Sequence, residues 1–532
     1  MAEMSFENIF PGGFASNLRR VFVPCSRIVS EEKTDRSAIL LQNRVLHQFT
    51  ASDHPVCTVD EGGFVILDFG RELSGGIRLV TDRCQPFSLR IRFGESVSEC
   101  CGSPDPDHAL HDMILTLPGL GAVDFGATGF RFVRLDAVSN AAKLVNVIAL
   151  ADIAPYSQRG VFHSSDERLN RIFDTAVHTV RLNIQDHIFD GIKRDRLLWG
   201  GDLHPEVSAI LGVFGEIPEI DTTLSELCFH TSEGKFVNNL SSYPLWLLWV
   251  IRDLWFYSGR KSVLEKFRKF ITDESSKLVS YISSGGTLAM PEPRFLDWPS
   301  SSDPAAVDAG LHALGIIFLK AAAEMLSELQ CSISHITDAL GRLLRQVPDP
   351  GTSKTAAALL TLAGAGNYTG VLENEPFCNI STFLGSYVIF AKENSRSLEL
   401  IKKYWGAMLD MGATSFWEDF DLEWCGNAFA IDQMPIPGKQ DIHADFGNYC
   451  YKGLRHSLCH GWAAGPAAWC LRRVLGVAPA APGFAKVRFS PDLCGMEFAC
   501  GAIPTPHGDI KVSLKKNCEP EITLPDGVEI VL

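Results

Sequence analysis

The sequence lacks the short motifs that carry several common chemistries. It has no H-E-x-x-H or C-x-x-C spacing for zinc, no G-x-x-x-x-G-K-[ST] phosphate loop, no strand-borne G-x-G-x-x-G for a dinucleotide and no G-x-S-x-G serine elbow. The histidines at 163, 178, 187 and 204 are spread without ligand spacing. We therefore expect no metal site and no cofactor. Acid–base chemistry by carboxylates remains as an option.

Long runs of positive charge and of apolar residues are also missing. The formal net charge is -15, which argues against nucleic acid and anionic membranes as partners because both are polyanions. No apolar run approaches the roughly 20 residues that span a bilayer, and the start MAEMSFENIFPGGF lacks the pattern of a signal peptide. A neutral or cationic small-molecule partner fits this charge, and carbohydrate meets that description.

The cysteines give a second indication of the compartment. There are 15, an odd number without the spacing of a disulfide framework, so free thiols in a reducing compartment are expected. We predict a cytoplasmic protein with no membrane partner. Whether it forms a homo-oligomer is left open by the sequence.

Three regions follow one another along the 532 residues. Residues 1–158 contain short apolar stretches such as Leu89–Phe93, which alternates apolar and charged residues and predicts a strand. Residues 159–475 change to a helical period after Ser164–Glu167, which fits a capping box. Residues 476–532 return to alternation, as in Lys486–Phe489. The predicted fold class is mainly α with flanking β domains.

The helical region predicts helix packed on helix. Its apolar residues recur at a spacing of three and four, without intervening strands. Beyond the one after Ser164, the expected helices are 203–214, 243–258, 261–283, 304–328, 334–345, 353–365, 380–393, 396–411 and 459–474. Both an α-solenoid and a closed barrel of hairpins fit this pattern. The sequence has no fixed repeat, which argues against the solenoid.

Four clusters combine carboxylates or histidine with tryptophan, a combination typical of carbohydrate sites because an indole offers an apolar face to a sugar ring. The first spans 190–202 and contains Gly191, Gly200 and Gly201, which make an uninterrupted helix unfavourable. The others span 414–424, 296–299 and 457–462. A solvated, mutually paired group of charges is the alternative interpretation of the first cluster, and Trp199 argues against it.

The residues in these clusters resemble the α-L-rhamnosidases of glycoside hydrolase family 78. The run Asp190-x-x-x-Arg194-Asp195-x-x-x-Trp199-x-x-Asp202 is similar to that family's signature. Its Trp-Glu and Ser-x-x-His motifs are similar to 417–418 and 457–460. The flanks at 67–75, 129–133, 161–170 and 475–510 are similar to its β-sandwiches and the start of its barrel.

This resemblance implies an (α/α)6 barrel between an N-terminal β-sandwich and a small C-terminal β-sandwich, and hydrolysis of a terminal α-L-rhamnose with inversion. It implies Asp195 as the general acid and Glu418 as the general base. The substrate-contacting residues that we predict are Asp190, Arg194, Trp199, Asp202, Asp297, Trp298, Trp417 and His460.

The chain departs from the family pattern at several positions. Asp195 stands where the family usually has Glu, Gly191-Ile192 replace Cys-Pro, and the segment from 419 to 459 is longer. Two other functions therefore stay open: a six-hairpin glycosidase for a different sugar, and a carbohydrate-binding protein without catalysis. A helical scaffold for protein partners is a further alternative, but it leaves the tryptophan–carboxylate clusters unexplained.

Overall fold

A twisted sheet of seven strands forms the N-terminal region of the structure, a computed structural model that describes residues 16–42, 45–47, 54–103, 111–232, 234–374 and 380–531. The first 14 residues, which we examined for a signal peptide, lie outside this range. The strands are β1 (Arg19–Pro24), β2 (Arg27–Asp35), β3 (Cys57–Thr81), β4 (Phe87–Gly94), β5 (Asp112–Leu117), β6 (Gly121–Ser139) and β7 (Ala142–Ile153).

The strand order is β1-β7-β3-β6-β4-β5, with β2 paired to β3. Strand β3 has 25 residues and pairs with β2, β6 and β7 along its length. At Gly75 it passes so close to β7 that a Cβ atom would lie 1.9 Å from the carbonyl oxygen of Leu150. Only glycine fits there. Short helices at Ile39–Gln42 and Val97–Cys101 accompany the sheet.

Helices fill the middle of the chain. They are Glu167–Asn183, Leu203–Val213, Pro218–Phe229, Tyr243–Ser258, Lys261–Ser280, Pro304–Glu328, Ser334–Arg345, Lys354–Leu362, Thr369–Leu372, Thr382–Ala391, Asn394–Asp410 and Gly465–Trp469, the last continued by a wider turn over Cys470–Val474. Neighbouring helices, several of them not consecutive in sequence, pack against one another around one continuous apolar core. Short 3-10 turns and a two-residue pair, β9 (Ala428–Phe429) with β10 (Gln440–Asp441), occupy the segment before Gly465.

Two features of the helices differ from the sequence prediction: the N-cap of the first helix, and one additional helix. The first helix begins at Glu167 with Asp166 as its N-cap, whose side chain accepts from the Leu169 N–H; the Ser164 hydroxyl instead donates to Asn170. The helix Pro218–Phe229 was not predicted. The sequence features that indicate this helix are the proline in its first turn and the acidic residues Glu219 and Asp221, which are favourable near a helix N-terminus.

One helix in the described part of the chain, Pro304–Glu328, is long and apolar enough to cross a membrane by length and composition. The sequence prediction that no apolar run comes near this length was therefore too strict. Of its most apolar 18-residue stretch, 83% is buried inside the protein. Its apolar side chains pack on the neighbouring helices Tyr243–Ser258 and Lys354–Leu362. This is the environment of a core helix.

The C-terminal region has two small sheets. One contains β11 (Val477–Pro479), β12 (Lys486–Phe489) and β16 (Glu529–Val531). The other contains β13 (Phe498–Thr505), β14 (Gly508–Lys515), β15 (Glu521–Thr523) and β8 (Val161–Ser164). Strand β8 precedes the first long helix in sequence, so the C-terminal sheet is completed by residues from the other end of the helical region. The order of β, α and β regions agrees with the predicted fold class.

Candidate active site

Two loops at one end of the helical region carry the predicted acid and base. The backbone of Asp190 accepts from the Gly461 N–H, and Gly191 pairs with His460 in an isolated β-bridge. The backbone N–H and C=O of Glu418 bond to Ser457 and to Thr382, respectively. The segments around 190, 418 and 457–460 are therefore joined through their backbones, although they are far apart in sequence.

The guanidinium of Arg194 lies between the two predicted catalytic carboxyl groups. Its NH1 donates to Asp195 Oδ2 at 2.7 Å, and its NH2 contacts Glu418 Oε2 closely. Its Nε donates to the carbonyl oxygen of Arg455. Because one rigid fork contacts both carboxyl groups, Asp195 and Glu418 face a common space. Arg194 holds them there.

The two carboxyl groups differ in their surroundings. The Asp195 side chain is 33% exposed, and Asp195 has a positive φ of 55°. The Glu418 side chain is 5% exposed and also accepts from the Ser457 N–H at 3.2 Å. Burial raises the pKa of Glu418, while Arg194 and the Ser457 N–H oppose that shift. One carboxyl is thus accessible and the other is enclosed.

A cavity of about 340 Å³ lies in front of these groups. Seven of the ten predicted site residues line it: Asp190, Asp195, Trp199, Asp202, Trp298, Glu418 and His460. The Asp190 and Asp202 side chains are buried, and burial raises the pKa of both, to about 8 for Asp190. His460 Nε2 is 3.6 Å from Glu418 Oε1, and burial lowers the His460 pKa well below its usual range. Neutral imidazole and neutral carboxyl groups can each donate and accept hydrogen bonds with sugar hydroxyls.

Three predicted substrate contacts do not line this cavity. Arg194 lies behind Asp195 and Glu418 and acts on them. Asp297 is buried, accepts from the Ser300 N–H and from the Ser381 hydroxyl, and so stabilises a turn. Trp417 is fully buried and packs edge-on against Phe420 and His456. The prediction that Asp297 and Trp417 lie beside substrate does not agree with these positions.

Several lining residues were not in the predicted set. They are Asn238, Leu240, Tyr243, Phe295, Cys450, Tyr451, Arg455 and Trp462. Tyr451 and Arg455 come from the long 419–459 segment, which forms one wall of the cavity. The Trp298 ring, 37% exposed, is 5.8 Å from the Tyr449 ring in a stacked arrangement. The tyrosines at 449 and 451 in the long loop were the available signal in the sequence, because stacking surfaces for sugars are aromatic.

A buried ionic cluster supports the two loops from the side of the N-terminal sheet. The Lys193 ammonium is 3.0 Å from Glu95 Oε2 and 3.3 Å from Glu99 Oε1, and it donates to the carbonyl oxygens of Leu454 and His456. Glu95, Glu99 and His443 also have the spacing to hold a cation. The Lys193 ammonium already contacts both of these carboxylates, so the protein supplies the positive charge at this point.

Comparisons with known proteins agree with this fold. Residues 157–329 match the family model of the bacterial alpha-L-rhamnosidase 6 hairpin glycosidase domain. An alpha-L-rhamnosidase of Alteromonas sp. (strain LOR) is 23% identical over 518 residues, covering 84% of this chain and 53% of that protein. The chain thus spans about half the length of this curated relative.

Two solved structures have the same fold. The GH78 family rhamnosidase of Bacillus sp. GL1 superimposes with a TM-score of 0.71 at 19% identity, covering 90% of this chain and 54% of that one. A rhamnosidase from Klebsiella oxytoca with rhamnose bound has a TM-score of 0.67 at 21% identity, covering 85% of this chain and 95% of that one. The predicted fold, an (α/α)6 barrel with flanking β domains, and the predicted resemblance are confirmed.

Proposed function

We propose that this chain, which has the six-hairpin fold of the family 78 α-L-rhamnosidases, is an inverting exo-glycosidase that removes terminal α-L-rhamnose or a closely similar sugar. The observation that carries the proposal is the contact of Arg194 with both Asp195 and Glu418 beside an aromatic-walled cavity. The chain covers nearly the whole length of the Klebsiella oxytoca protein, so the shared region is large enough for a complete catalytic unit.

The two carboxyl groups suit different steps. Asp195 is accessible from solvent and can protonate the glycosidic oxygen as the aglycone leaves. Glu418 is enclosed and receives hydrogen bonds from Arg194 and from the Ser457 N–H, which favour its ionised form. An ionised Glu418 can take a proton from water that attacks the anomeric carbon on the opposite face. Inversion requires a separation of roughly 6.5–9.5 Å between such groups when sugar and water lie between them.

The cavity suits one terminal sugar ring. Its volume of about 340 Å³ fits a monosaccharide with a few waters, which supports removal of end residues. Buried Asp190, Asp202 and His460 can bond to hydroxyl groups. The rings of Trp199 and Trp298 offer apolar surface to the sugar face and to a methyl substituent. A 6-deoxy sugar combines both requirements.

The expected partner is therefore a neutral glycoside, in line with the net charge of -15. We also propose a cytoplasmic location. The fourteen cysteines in the described part of the chain are all unpaired, and free thiols persist in reducing compartments. Cell fractionation with a tagged chain tests this location.

Hydrolysis of an aryl α-L-rhamnoside tests the activity. We expect Asp195→Asn and Glu418→Gln each to lower kcat by a factor of about 10²–10⁴, because each removes one proton-transfer group. Glu423→Gln, which changes an exposed carboxylate nearby, is the matched control and retains full activity. NMR of the first-formed anomer distinguishes inversion from retention. Full activity in either active-site variant refutes the assignment.

Asp195 itself favours a second candidate, the same fold acting on another sugar. The Asp195 side chain is one methylene shorter than that of Glu, and its backbone has a positive φ. Its carboxyl oxygen therefore meets the leaving group at a different position than a Glu oxygen would. A panel of aryl glycosides separates the two, since activity on another sugar and none on the rhamnoside supports this candidate. Saturable sugar binding without turnover on any member of the panel supports a binding protein instead.

A further inference from the structure

A second cavity, of about 290 Å³, lies between the helical region and the small C-terminal sheet formed by β11, β12 and β16. Its walls come from the helices Leu203–Val213, Tyr243–Ser258 and Thr382–Ala391, from the segment 465–473 and from strand β12. Among the described residues, none that lines this cavity also lines the cavity around Glu418. It is therefore a separate space, with room for on the order of ten water molecules.

Three arginines line this cavity, and no aspartate or glutamate does. Arg472, Arg473 and Arg488 form no ion pair with any residue in the described part of the chain. Arg472 donates to the Ser208 hydroxyl and Arg473 to the carbonyl oxygen of Phe390, both neutral acceptors. Arg472 interacts electrostatically with the buried Asp253, which does not line the cavity and also pairs with Arg252. Three arginines and no carboxylate therefore face the cavity, and in a chain with a net charge of -15 such a lining favours an anion.

The two neighbouring guanidinium groups also act on each other. Arg472 and Arg473 both lie over the Phe390 ring, 5.3 and 5.6 Å from its centroid. Burial and the charge of Arg472 lower the pKa of Arg473. Their mutual repulsion is unfavourable, and an anion between them would relieve it. Planar guanidinium groups bind phosphate and carboxylate oxygens through paired hydrogen bonds.

Aromatic rings form another part of the wall. The rings of Trp249, Tyr387 and Phe390 line the cavity, and hydroxyl groups of Ser208 and Ser386 add hydrogen-bonding atoms. Tyr387 is held by a hydrogen bond of 2.6 Å to His204 Nδ1, and the His204 ring stacks on it at 5.7 Å. Inorganic phosphate alone would leave this apolar surface in contact with water. An anion that carries a planar apolar body covers it.

We propose that this cavity binds a small organic anion, a phosphate monoester or a carboxylate attached to a planar apolar group. Its charged group pairs with Arg472 and Arg473, with Arg488 at the side of the C-terminal sheet, and its apolar body lies on Trp249, Tyr387 and Phe390. Asp202 directly precedes the helix Leu203–Val213, and Trp462 lies in the turn just before the segment 465–473, so two of the lining segments begin beside the first cavity. The bound anion therefore stabilises the helices that follow residues of that site.

Isothermal titration calorimetry of the full chain tests the proposal with phenyl phosphate and benzoate as probes and phenol as the neutral control. We expect saturable binding of at least one anion with a Kd on the order of 1 mM or tighter, and none of phenol. The double variant Arg472→Gln/Arg473→Gln is expected to weaken binding at least tenfold, because hydrogen bonds to charged groups are lost. Arg396→Gln, an exposed arginine elsewhere, leaves binding unchanged.

Other results overturn the proposal. They are the absence of saturable binding in the wild-type protein, displacement of the anion by rhamnose, and unchanged binding in a double variant that unfolds at the wild-type temperature. If the double variant does not fold, Arg488→Gln replaces it, since this side chain lies on an exposed strand position. Glu418→Gln is expected to bind the anion as the wild type does. Failure of the proposed glycosidase activity is thereby distinguished from failure of the anion site.

Discussion

Lys193 and Glu95 form an ion pair of 3.0 Å between two side chains with no solvent exposure, one from the catalytic loop and one from the N-terminal sheet region. Glu95 also accepts from the Leu458 N–H at 2.6 Å, so this single carboxylate contacts both loops of the site. The N-terminal region therefore supports the position of Arg194 and Glu418 from outside the barrel.

Breaking this pair should destabilise the protein strongly. Lys193→Met leaves Glu95 and Glu99 buried without their cation, and we expect a loss of about 3–5 kcal/mol in the free energy of unfolding. Urea titration measures it. The control is Arg396→Ala, which removes the exposed pair with Glu399 and costs at most about 1 kcal/mol. An effect of Lys193→Met as small as that of the control contradicts the prediction.

Arg194→Lys tests the guanidinium that joins the two carboxyl groups. A lysine ammonium is a compact charge without the fork that contacts Asp195, Glu418 and the Arg455 carbonyl oxygen together. We expect kcat/KM to fall tenfold or more, because at least one charge-assisted hydrogen bond is lost. Arg196→Lys, at the exposed neighbouring position, should keep its activity. Equal activity in both variants rules out the role given to Arg194.

The pH profile should reflect the environment of Glu418. Burial raises the pKa of Glu418, so a base at this position stays protonated to a higher pH than an ordinary glutamate, near 4.3. The acid limb of kcat/KM should therefore lie above that value. In Arg194→Gln, which removes the opposing positive charge, the limb should move further up in pH. A limb that moves down in this variant contradicts the assignment of Glu418 as base.

Asp190 should make stability depend on pH. Burial raises the pKa of Asp190 from 3.8 to about 8, so the folded state holds a proton that the unfolded chain has released. The stabilisation by neutral Asp190 is complete below its unfolded pKa and is lost as pH rises towards about 8. Asp190→Asn keeps an oxygen for the Leu197 N–H and does not titrate. Relative to wild type, its Tm should rise with pH over this range; a constant difference refutes the prediction.

Two tryptophans that are similar in sequence context should respond differently. Trp417 is fully buried, so Trp417→Ala should cost about 3–5 kcal/mol in the free energy of unfolding. Trp199 lines the cavity, so Trp199→Ala should raise KM with a smaller effect on unfolding. Thermal unfolding and steady-state kinetics on both variants separate the two roles. A KM effect of Trp417→Ala without destabilisation would place that ring beside substrate after all.

The sequence was informative wherever a pattern is local. Alternation and helical spacing predicted the order of β, α and β regions, and the motif around Asp195 predicted residues that the fold brings to one cavity. Sequence adjacency does not give side-chain direction. Trp417 and Glu418 are neighbours, yet one ring packs in the core and the other side chain reaches Arg194. Asp297 and Trp298 are also neighbours, yet Asp297 is buried in a turn and Trp298 lines the cavity.

Contacts between the three regions could not be predicted from the sequence, for a different reason. Lys193 lies in a run of charged residues, a pattern that is typical of a solvent-exposed segment. Its partners Glu95 and Glu99 are about a hundred positions away in the sequence. Tyr243, Tyr451 and Arg455 join the cavity because helices and a long loop meet there in three dimensions. No local period signals such a meeting, and it depends on packing of the whole chain.

Strand β8 has a consequence for how the protein is made. Ser164 pairs with Ala499, so the segment leading into the first long helix cannot find its partner until strand β13 has left the ribosome. A nascent chain therefore carries an unpaired strand edge throughout synthesis of the helices. Truncation before β13 should leave that edge permanently open, and we expect such a chain to aggregate even though every helix is present.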